Sequence, residues 1–322
     1  MRGMQLSRRT LFALVTAGAG ALVTASAARA QEVVSIDVGG KPAGVAVNPV
    51  TGFAYVTDPE SGSVSVVDPE SATIGAVVQT GGKPGDVAAD PTANRIYVAN
   101  PPAGTVVVLD GQTHEIVSVI GAGAGASSVA VDSTANKIYA VSAGTGTLAV
   151  IDGISATLRS LVPGPVPSLS GVAVDSGRKL VYCTSAGTST VEIYDIDAGK
   201  FTASVKVGKS PMGVAVHQST GTIYVANAGI HHMSIVDAST RTERKTVLLR
   251  SESSALAVHQ GTNTVYTNGG QNGISRVDGA AGELSGELSL GVNPGDVAVD
   301  QRTRTVFVTD PLHGRVSLVR DF

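Results

Sequence analysis

The chain has 322 residues, a net charge of −3 and a low fraction of charged residues, 15%. It contains no block of Lys and Arg, so the sequence shows no footprint for a nucleic-acid partner. Its single cysteine, Cys183, excludes an intramolecular disulfide. Because Cys183 lies inside a predicted strand, in Val181-Tyr182-Cys183-Thr184, we interpret it as a buried, unreactive thiol.

The first thirty residues have the pattern of an export signal. Ser7-Arg8-Arg9 precedes an uncharged run rich in Ala, Gly, Val and Leu, and Ala28-Arg29-Ala30 fits a small-x-small cleavage site. A twin arginine before an apolar run marks the twin-arginine export route. An uncut membrane anchor is the alternative, but the run is short and dilute in Leu and Ile for a bilayer span.

We therefore expect a cleaved twin-arginine signal peptide over residues 1–30 and one domain over residues 31–322. The mature chain is expected to be periplasmic or extracellular, without a transmembrane segment. We also expect it to be a monomer.

From residue 31 onward the sequence repeats one pattern seven times, at intervals of 40 to 43 residues. A period in this range indicates a solenoid, an array or a propeller. Each repeat contains short β-branched runs separated by Gly, Pro, Asn and Asp, which predict strands. The first strands begin at Gly44, Asp86, Ser128, Gly171, Gly213, Ala255 and Asp296. The second strands align on Tyr55, Tyr97, Tyr139, Tyr182, Tyr224, Tyr266 and Phe307.

Four antiparallel strands in each of seven repeats predict an all-β fold, a seven-bladed β-propeller. The third strands, such as Val106 to Leu109, are apolar at consecutive positions, as expected for sheets packed on both faces. Most third strands end in an Asp that we interpret as a turn former: Asp68, Asp110, Asp152, Asp237 and Asp278.

The sequence also predicts how the ring closes. It begins with a fourth-type strand, Val33 to Val38, and ends after a third-type strand, Val316 to Val319. The N-terminal strand is therefore expected to complete the last blade, which leaves no open sheet edge at the seam.

The Tyr-Val-Thr-Asp and Tyr-Val-Ala-Asn strands and the Lys-Pro-x-Gly-Val-Ala-Val loops resemble the YVTN-repeat, YncE-like family of bacterial β-propellers. The resemblance covers essentially all of residues 31–322. It implies the propeller fold, but it carries over no catalytic residues, since similar propellers include surface-layer proteins, binding proteins and enzymes.

Acidic residues break the repeat near the expected axial mouth. Asp86 and Asp296 replace the usual small residue at the start of an innermost strand, and Asp58 and Asp310 end second strands. These four carboxylates could gather on one sector of the mouth. Such a cluster could hold a hard divalent cation such as calcium, bind a cationic ligand, or create a general acid or base.

Two lysines, Lys41 and Lys83, lie close to these aspartates in the loops. The alternative to a functional cluster is that each Asp caps its own turn or pairs with a Lys.

Histidine and methionine break the repeat in other blades. His231-His232-Met233 replaces a small polar turn, Met212 lies in an inner loop, and His313 lies in the turn of blade 7. Arg250 replaces the Lys of the Lys-Pro loops. Histidine with methionine could bind copper or zinc. Adjacent histidines on a strand point apart, however, so a ligand contact, a general base or a plain exposed turn stay open as alternatives.

The remaining histidines are interpreted as parts of turns. His217 and His259 take positions that hold Asp or Asn in other blades, and His114 is expected to be exposed.

The sequence favours an exported binding protein that presents its axial loop face to a small molecule, a cell-envelope component or a protein partner. The alternative is a lyase, hydrolase or isomerase that uses the mouth carboxylates and histidines, with or without a divalent metal. Fold alone does not decide between them, and no set of residues has the spacing of a known catalytic mechanism.

Overall fold

The computed structural model describes residues 31–322 and shows seven four-stranded antiparallel sheets arranged in a ring. The expected export signal over residues 1–30 lies outside the described residues. The part of the chain that is described contains no helix long and apolar enough to cross a membrane.

Each blade contributes consecutive strands, and β1 (Glu32–Asp37) precedes them all. Blade 1 contains β2 (Val45–Val47), β3 (Ala54–Asp58), β4 (Ser63–Asp68) and β5 (Thr73–Gln79). Blade 2 contains β6 (Val87–Asp90), β7 (Arg95–Asn100), β8 (Thr105–Asp110) and β9 (Ile116–Gly121). Blade 3 contains β10 (Ala126–Asp132), β11 (Lys137–Ser142), β12 (Thr147–Asp152) and β13 (Thr157–Pro163). Blade 4 contains β14 (Val172–Asp175), β15 (Leu180–Ser185), β16 (Thr190–Asp195) and β17 (Lys200–Lys206).

The remaining blades follow the same order. Blade 5 contains β18 (Pro211–His217), β19 (Thr222–Asn227), β20 (His232–Asp237) and β21 (Thr242–Leu248). Blade 6 contains β22 (Leu256–His259), β23 (Thr264–Gly270), β24 (Gly273–Asp278) and β25 (Glu283–Ser289). Blade 7 contains β26 (Val297–Val299), β27 (Val306–Asp310) and β28 (Arg315–Arg320), and β1 supplies its fourth strand.

The predicted closure of the ring is confirmed. Strand β1 pairs antiparallel with β28, with Val34 opposite Leu318 and Ile36 opposite Val316. Ile36, Val316 and Leu318 pack in one cluster with residues of blade 1. The head of the described chain therefore joins its tail, and the seam has the same sheet structure as the other blades.

The core consists of seven apolar clusters, one at each interface between neighbouring blades. The second strands lie in the middle of these layers; all five residues of β3 are buried, for example. Tyr97 of blade 2 packs against Ile138 and Ala149 of blade 3. This burial explains the consecutive apolar positions, because neighbouring blades cover both faces of these middle strands.

Around the axis, neighbouring backbones approach so closely that some positions must be glycine. A Cβ added to Gly171 would lie 2.1 Å from the Met212 carbonyl oxygen of the next blade. A Cβ on Gly44 would lie 2.6 Å from the Gly85 carbonyl oxygen. The glycines that precede the first strands therefore follow from the crowding of backbones around the axis.

The Thr of the second-strand motif connects each of three blades to the next. The hydroxyl of Thr57 donates to the Gly85 carbonyl (2.5 Å), and the hydroxyl of Thr184 donates to the Met212 carbonyl (2.6 Å). Thr309 does the same across the seam, to the Ala43 carbonyl (3.0 Å). These bonds satisfy backbone carbonyl groups at or just before the start of the innermost strands.

The turn assignments of the third-strand aspartates are confirmed. In each of the five turns a carboxylate oxygen accepts a backbone amide two or three residues later, and this group contains Asp68, Asp110, Asp152, Asp237 and Asp278. These aspartates are thus occupied by their own turns.

Candidate functional site

A cavity of about 550 Å³ lies on the axis of the ring, where the innermost strands of all seven blades begin. Its walls are backbone, small side chains and aliphatic side chains. The polar residues of the lining are Ser127, Ser128, Ser170, Ser254, Asp86 and Asp296. Among the lining residues, only Asp86 and Asp296 carry a charge.

Asp86 bridges blade 2 to blade 3. Its Oδ2 accepts the Ser128 hydroxyl (2.6 Å) and the Val129 amide (3.0 Å), and its Oδ1 accepts the Val87 amide (2.8 Å). Burial raises the pKa of Asp86, while these three donors act in the opposite direction. Both oxygens of this carboxylate are therefore held by the protein.

Asp296 occupies the same repeat position at the seam, but it has fewer donors. Its Oδ2 accepts the Val45 amide of blade 1 (2.9 Å), and the Val297 amide adds weaker support. Gly44 stands where blade 3 has Ser128, so no hydroxyl reaches Asp296. Burial and, second, the negative charge of Asp86 raise the pKa of Asp296 to about 7.

The two carboxylates therefore form a pair in which the charge of Asp86 raises the pKa of Asp296. Each is half-buried and lines the axial cavity. Two like charges in such surroundings do not ionise independently. Near neutral pH the pair can hold one proton, accept a hydrogen bond, or bind a cation.

Asp58 and Asp310, which the sequence placed with this pair, do not line the axial cavity. Asp58 accepts the Lys41 and Glu60 amides and the Ser61 hydroxyl, at 3.2, 2.9 and 2.7 Å. Burial opposes ionisation of Asp58, but the Ser61 hydroxyl and the backbone amides outweigh it and lower its pKa. The alternative that an Asp caps its own turn thus describes Asp58.

Asp310 is held in the same way. It is 4% exposed, it accepts the Leu312 and His313 amides, and its Oδ2 lies 2.7 Å from Nδ1 of His313. His313 is thereby committed to the turn of blade 7. The expected gathering of four carboxylates reduces to the pair Asp86 and Asp296.

The predicted basic residues lie on the loops outside the cavity lining. Lys41 forms an ion pair with Glu60 (2.5 Å), and Arg250 forms one with Glu287 (3.1 Å). Lys83 is exposed, and its backbone amide donates to the Asn100 side chain (3.1 Å). These ion pairs are exposed to solvent and contribute little to stability.

The His231-His232 pair also lies away from the axial cavity. His231 is exposed, while His232 is half-buried at the start of β20, opposite Leu248. Met212, by contrast, lines the cavity and is 39% exposed. Within residues 31–322, no group of three or more His, Cys, Asp or Glu side chains is placed to hold a metal ion.

The structure confirms the interpretation of His217 and His259 as turn residues. Nδ1 of His217 lies 2.8 Å from the Thr220 hydroxyl, and its Nε2 lies 2.9 Å from the Gln260 carbonyl of the next blade. His259 repeats both contacts, with Thr262 and Gln301. These side chains therefore join blades on the face opposite the mouth.

His114 differs from expectation. It is half-buried because the Tyr55 hydroxyl of the neighbouring blade contacts its Nδ1 (3.1 Å), and burial lowers its pKa.

Cys183 is confirmed as buried, and burial together with the charge of Glu192 raises the pKa of its thiol. A thiol of this kind is unreactive at neutral pH.

Sequence reasoning missed the cavity serines. Ser170 and Ser254 lie in the loops before the first strands of blades 4 and 6, and Ser127 lies at the start of β10 in blade 3. The repeat alignment contained the information needed, because these serines occupy the position of Gly85, directly before Asp86. A position next to Asp86 in the alignment is expected to lie near the axis, and this would have identified the serines.

A second cavity, of about 420 Å³, lies between blades 6 and 7 and is lined partly by Phe322. Arg276 lies over the Phe322 ring at 5.2 Å and donates to the Ser285 carbonyl (3.1 Å). This arginine is therefore already engaged by the protein. The axial cavity is the better candidate site, because all seven blades converge on it.

No protein-family model matches the chain, and no curated protein matches it significantly. The structure itself establishes the seven-bladed β-propeller fold, which is consistent with a general binding or scaffold role.

Proposed function

We propose that this protein binds a small molecule in its axial channel. The observation that carries the proposal is the cavity of about 550 Å³ to which every blade contributes and in which only two side chains are charged. Pockets for small molecules typically measure about 300 to 1,000 Å³ and combine apolar walls with a few converging polar groups. The cavity has both properties.

Plugging the channel tests the proposal. Ser170 lines the cavity, and no hydrogen bond of its side chain would be lost on replacement. Ser170→Trp should fill the channel, whereas Gln271→Trp places the same side chain on an exposed loop outside the lining. A panel of cationic, neutral and anionic small molecules would be screened by thermal shift.

The proposal predicts compounds that stabilise the parent and Gln271→Trp but not Ser170→Trp, since a ligand stabilises only the state that binds it. Compounds that stabilise all three proteins bind elsewhere. If no compound in the panel depends on an open channel, axial binding of small molecules is wrong. A cell-envelope component or protein captured equally by all three proteins would place the binding surface on the loops instead.

We further propose membership of the YVTN-repeat, YncE-like family and export by the twin-arginine route. The repeated second-strand motif and the Ser7-Arg8-Arg9 segment support these assignments. Replacing Arg8 and Arg9 with Lys should leave uncut protein in the cytoplasm, as judged by fractionation and mass. Unchanged export would contradict the assigned route.

One observation favours catalysis as a second candidate function. Asp296 has a pKa raised to about 7, the range in which a carboxyl group works as a general acid or base. A lyase or isomerase would use Asp296 for proton transfer. Turnover of a channel ligand that disappears in Asp296→Asn, while binding persists, would establish this function; binding without turnover would exclude it for that ligand.

A further inference from the structure

We infer that the channel ligand is a small organic cation with an ammonium group, and that it binds in exchange for a proton held by Asp86 and Asp296. This inference rests on the proposed function, because it names the ligand class of that same cavity. It would be wrong if the channel preferred neutral or anionic compounds.

The charge of the cavity supports a cation. Asp86 and Asp296 are its only charged lining residues, and neither forms an ion pair with a Lys, Arg or His within residues 31–322. Of the loop cations, Lys41 pairs with Glu60 and Arg250 with Glu287, and Lys83 lies outside the cavity lining. Partly desolvated carboxylates without a countercharge are costly, and a bound cation would remove that cost.

The hydrogen bonds decide which carboxylate holds the proton. Asp86 accepts three donors, one of them the Ser128 hydroxyl, and each donor stabilises its ionised form. Asp296 has only backbone amides. Asp86 therefore ionises first, and its charge keeps the proton on Asp296.

Other titratable groups near Asp296 are accounted for. Strand β2 presents the Val45 amide, and β27 presents Thr309, whose hydroxyl accepts the Asp296 amide (2.7 Å). In the adjoining loop, Asp310 and His313 are bonded to each other. Asp86 is the one charged group that affects the pKa of Asp296.

The shape of the cavity favours an organic ammonium ion over a bare metal ion. Two carboxylates supply too few ligands for calcium, which takes six to eight oxygens. The lining also presents aliphatic surface from Val129, Met212, Leu256 and Pro311. A ligand with an ammonium head and a hydrocarbon body would satisfy both parts of the wall, burying its apolar portion while its N–H groups donate to the carboxylates.

Proton exchange follows from linkage. When the ammonium group donates to Asp296, the positive charge favours the carboxylate, so the O–H bond of Asp296 breaks and its proton passes to water or a buffer base, while no other covalent bond changes. The ligand and the proton then compete, and each weakens the binding of the other by the same factor. With the pKa of Asp296 at about 7, affinity for a cation should rise about tenfold between pH 6 and pH 8.

The probe pair is 2-phenylethylammonium and 2-phenylethanol, which differ in charge but little in shape. The ammonium group stays protonated at both pH values, as a lysine amine does. Binding would be measured by calorimetry at pH 6 and 8, in two buffers of different ionisation enthalpy. The proteins are the parent, Asp296→Asn, Ser170→Trp and Gln271→Trp.

The inference predicts that the ammonium compound binds the parent about tenfold more tightly at pH 8 than at pH 6. At pH 8 the alcohol should bind more weakly than the ammonium compound. At pH 6, the difference in binding enthalpy between the two buffers should correspond to the release of close to one proton for each ligand bound. Asp296→Asn should bind with the same constant at both pH values. Gln271→Trp should match the parent, and Ser170→Trp should not bind.

Different failures have different meanings. If the alcohol or an anionic compound fills the channel and the ammonium compound does not, the ligand class is wrong while axial binding stands. Ammonium binding that is independent of pH and releases no proton overturns the exchange. The absence of any ligand that Ser170→Trp blocks overturns both proposals. The calorimetric result on the parent needs no variant to fold.

Discussion

Asp296→Asn should stabilise the protein, and the gain should grow with pH. The folded state raises the pKa of Asp296 from 3.8 to about 7, so the carboxyl group ionises more readily in the unfolded chain. Below about pH 3 the group is protonated in both states and costs nothing. Between pH 4 and 7 the unfolded state loses the proton first, and the folded state is penalised.

The magnitude follows from the two pKa values. Each unit of difference corresponds to about 1.4 kcal/mol, so the penalty is about 1 kcal/mol at pH 4.5 and about 4 kcal/mol at pH 8. Asparagine cannot ionise, yet its Oδ1 can still accept the Val45 amide. The difference in the free energy of unfolding between variant and parent should therefore increase by about 3 kcal/mol over this range.

The assay is urea unfolding at pH 4.5, 6, 7 and 8. The chain has no Trp and seven Tyr, so tyrosine fluorescence and far-UV circular dichroism are the suitable signals. Glu70→Gln, which neutralises an exposed carboxylate, serves as the control and should change little at any pH. A gain that is equal at pH 4.5 and pH 8, or a loss at pH 8, would refute the argument.

Three further predictions test the surrounding structure. Gly171→Ala should cost about 1 to 3 kcal/mol in urea unfolding because its Cβ would overlap the next blade, whereas Gly121→Ala, which has open space, should cost less than about 1; equal losses would contradict the crowding argument. Ser128→Ala should raise the midpoint of Asp86 in a carboxyl ¹³C NMR titration, and an unchanged midpoint would show that the hydroxyl is dispensable. Ile36→Ala should cost about 2 to 5 kcal/mol, because Ile36 is buried at the seam; a neutral result would mean that the seam contributes little to folding.

The sequence predicted the ring because its signals are local and repeated. The number of blades follows from the spacing of one aromatic residue, Tyr55 and its equivalents. The closure follows from the unmatched strand at each end, and the pairing of Val34 with Leu318 confirms it. The same alignment placed Asp86 and Asp296 at the start of innermost strands, and the structure places both in the axial cavity.

The parts that were not predicted depend on the direction in which individual side chains point. Asp58 ends its strand just as the alignment implies, but whether its carboxylate turns toward the axis or into its own loop depends on the Ser61 hydroxyl and local amides. His114 is half-buried because Tyr55, in the preceding blade, reaches it. The repeat pattern shows the spacing of residues but not the direction of their side chains, so it could predict neither contact.

The most direct test of the account is a crystal structure of the protein soaked with 2-phenylethylammonium at pH 8. The account predicts density for the compound inside the ring, with its nitrogen within hydrogen-bonding distance of the Asp296 carboxylate and its phenyl group against the aliphatic wall near Met212 and Leu256. A compound bound only on the outer strands or at the loops, beside an empty axial cavity, would contradict it.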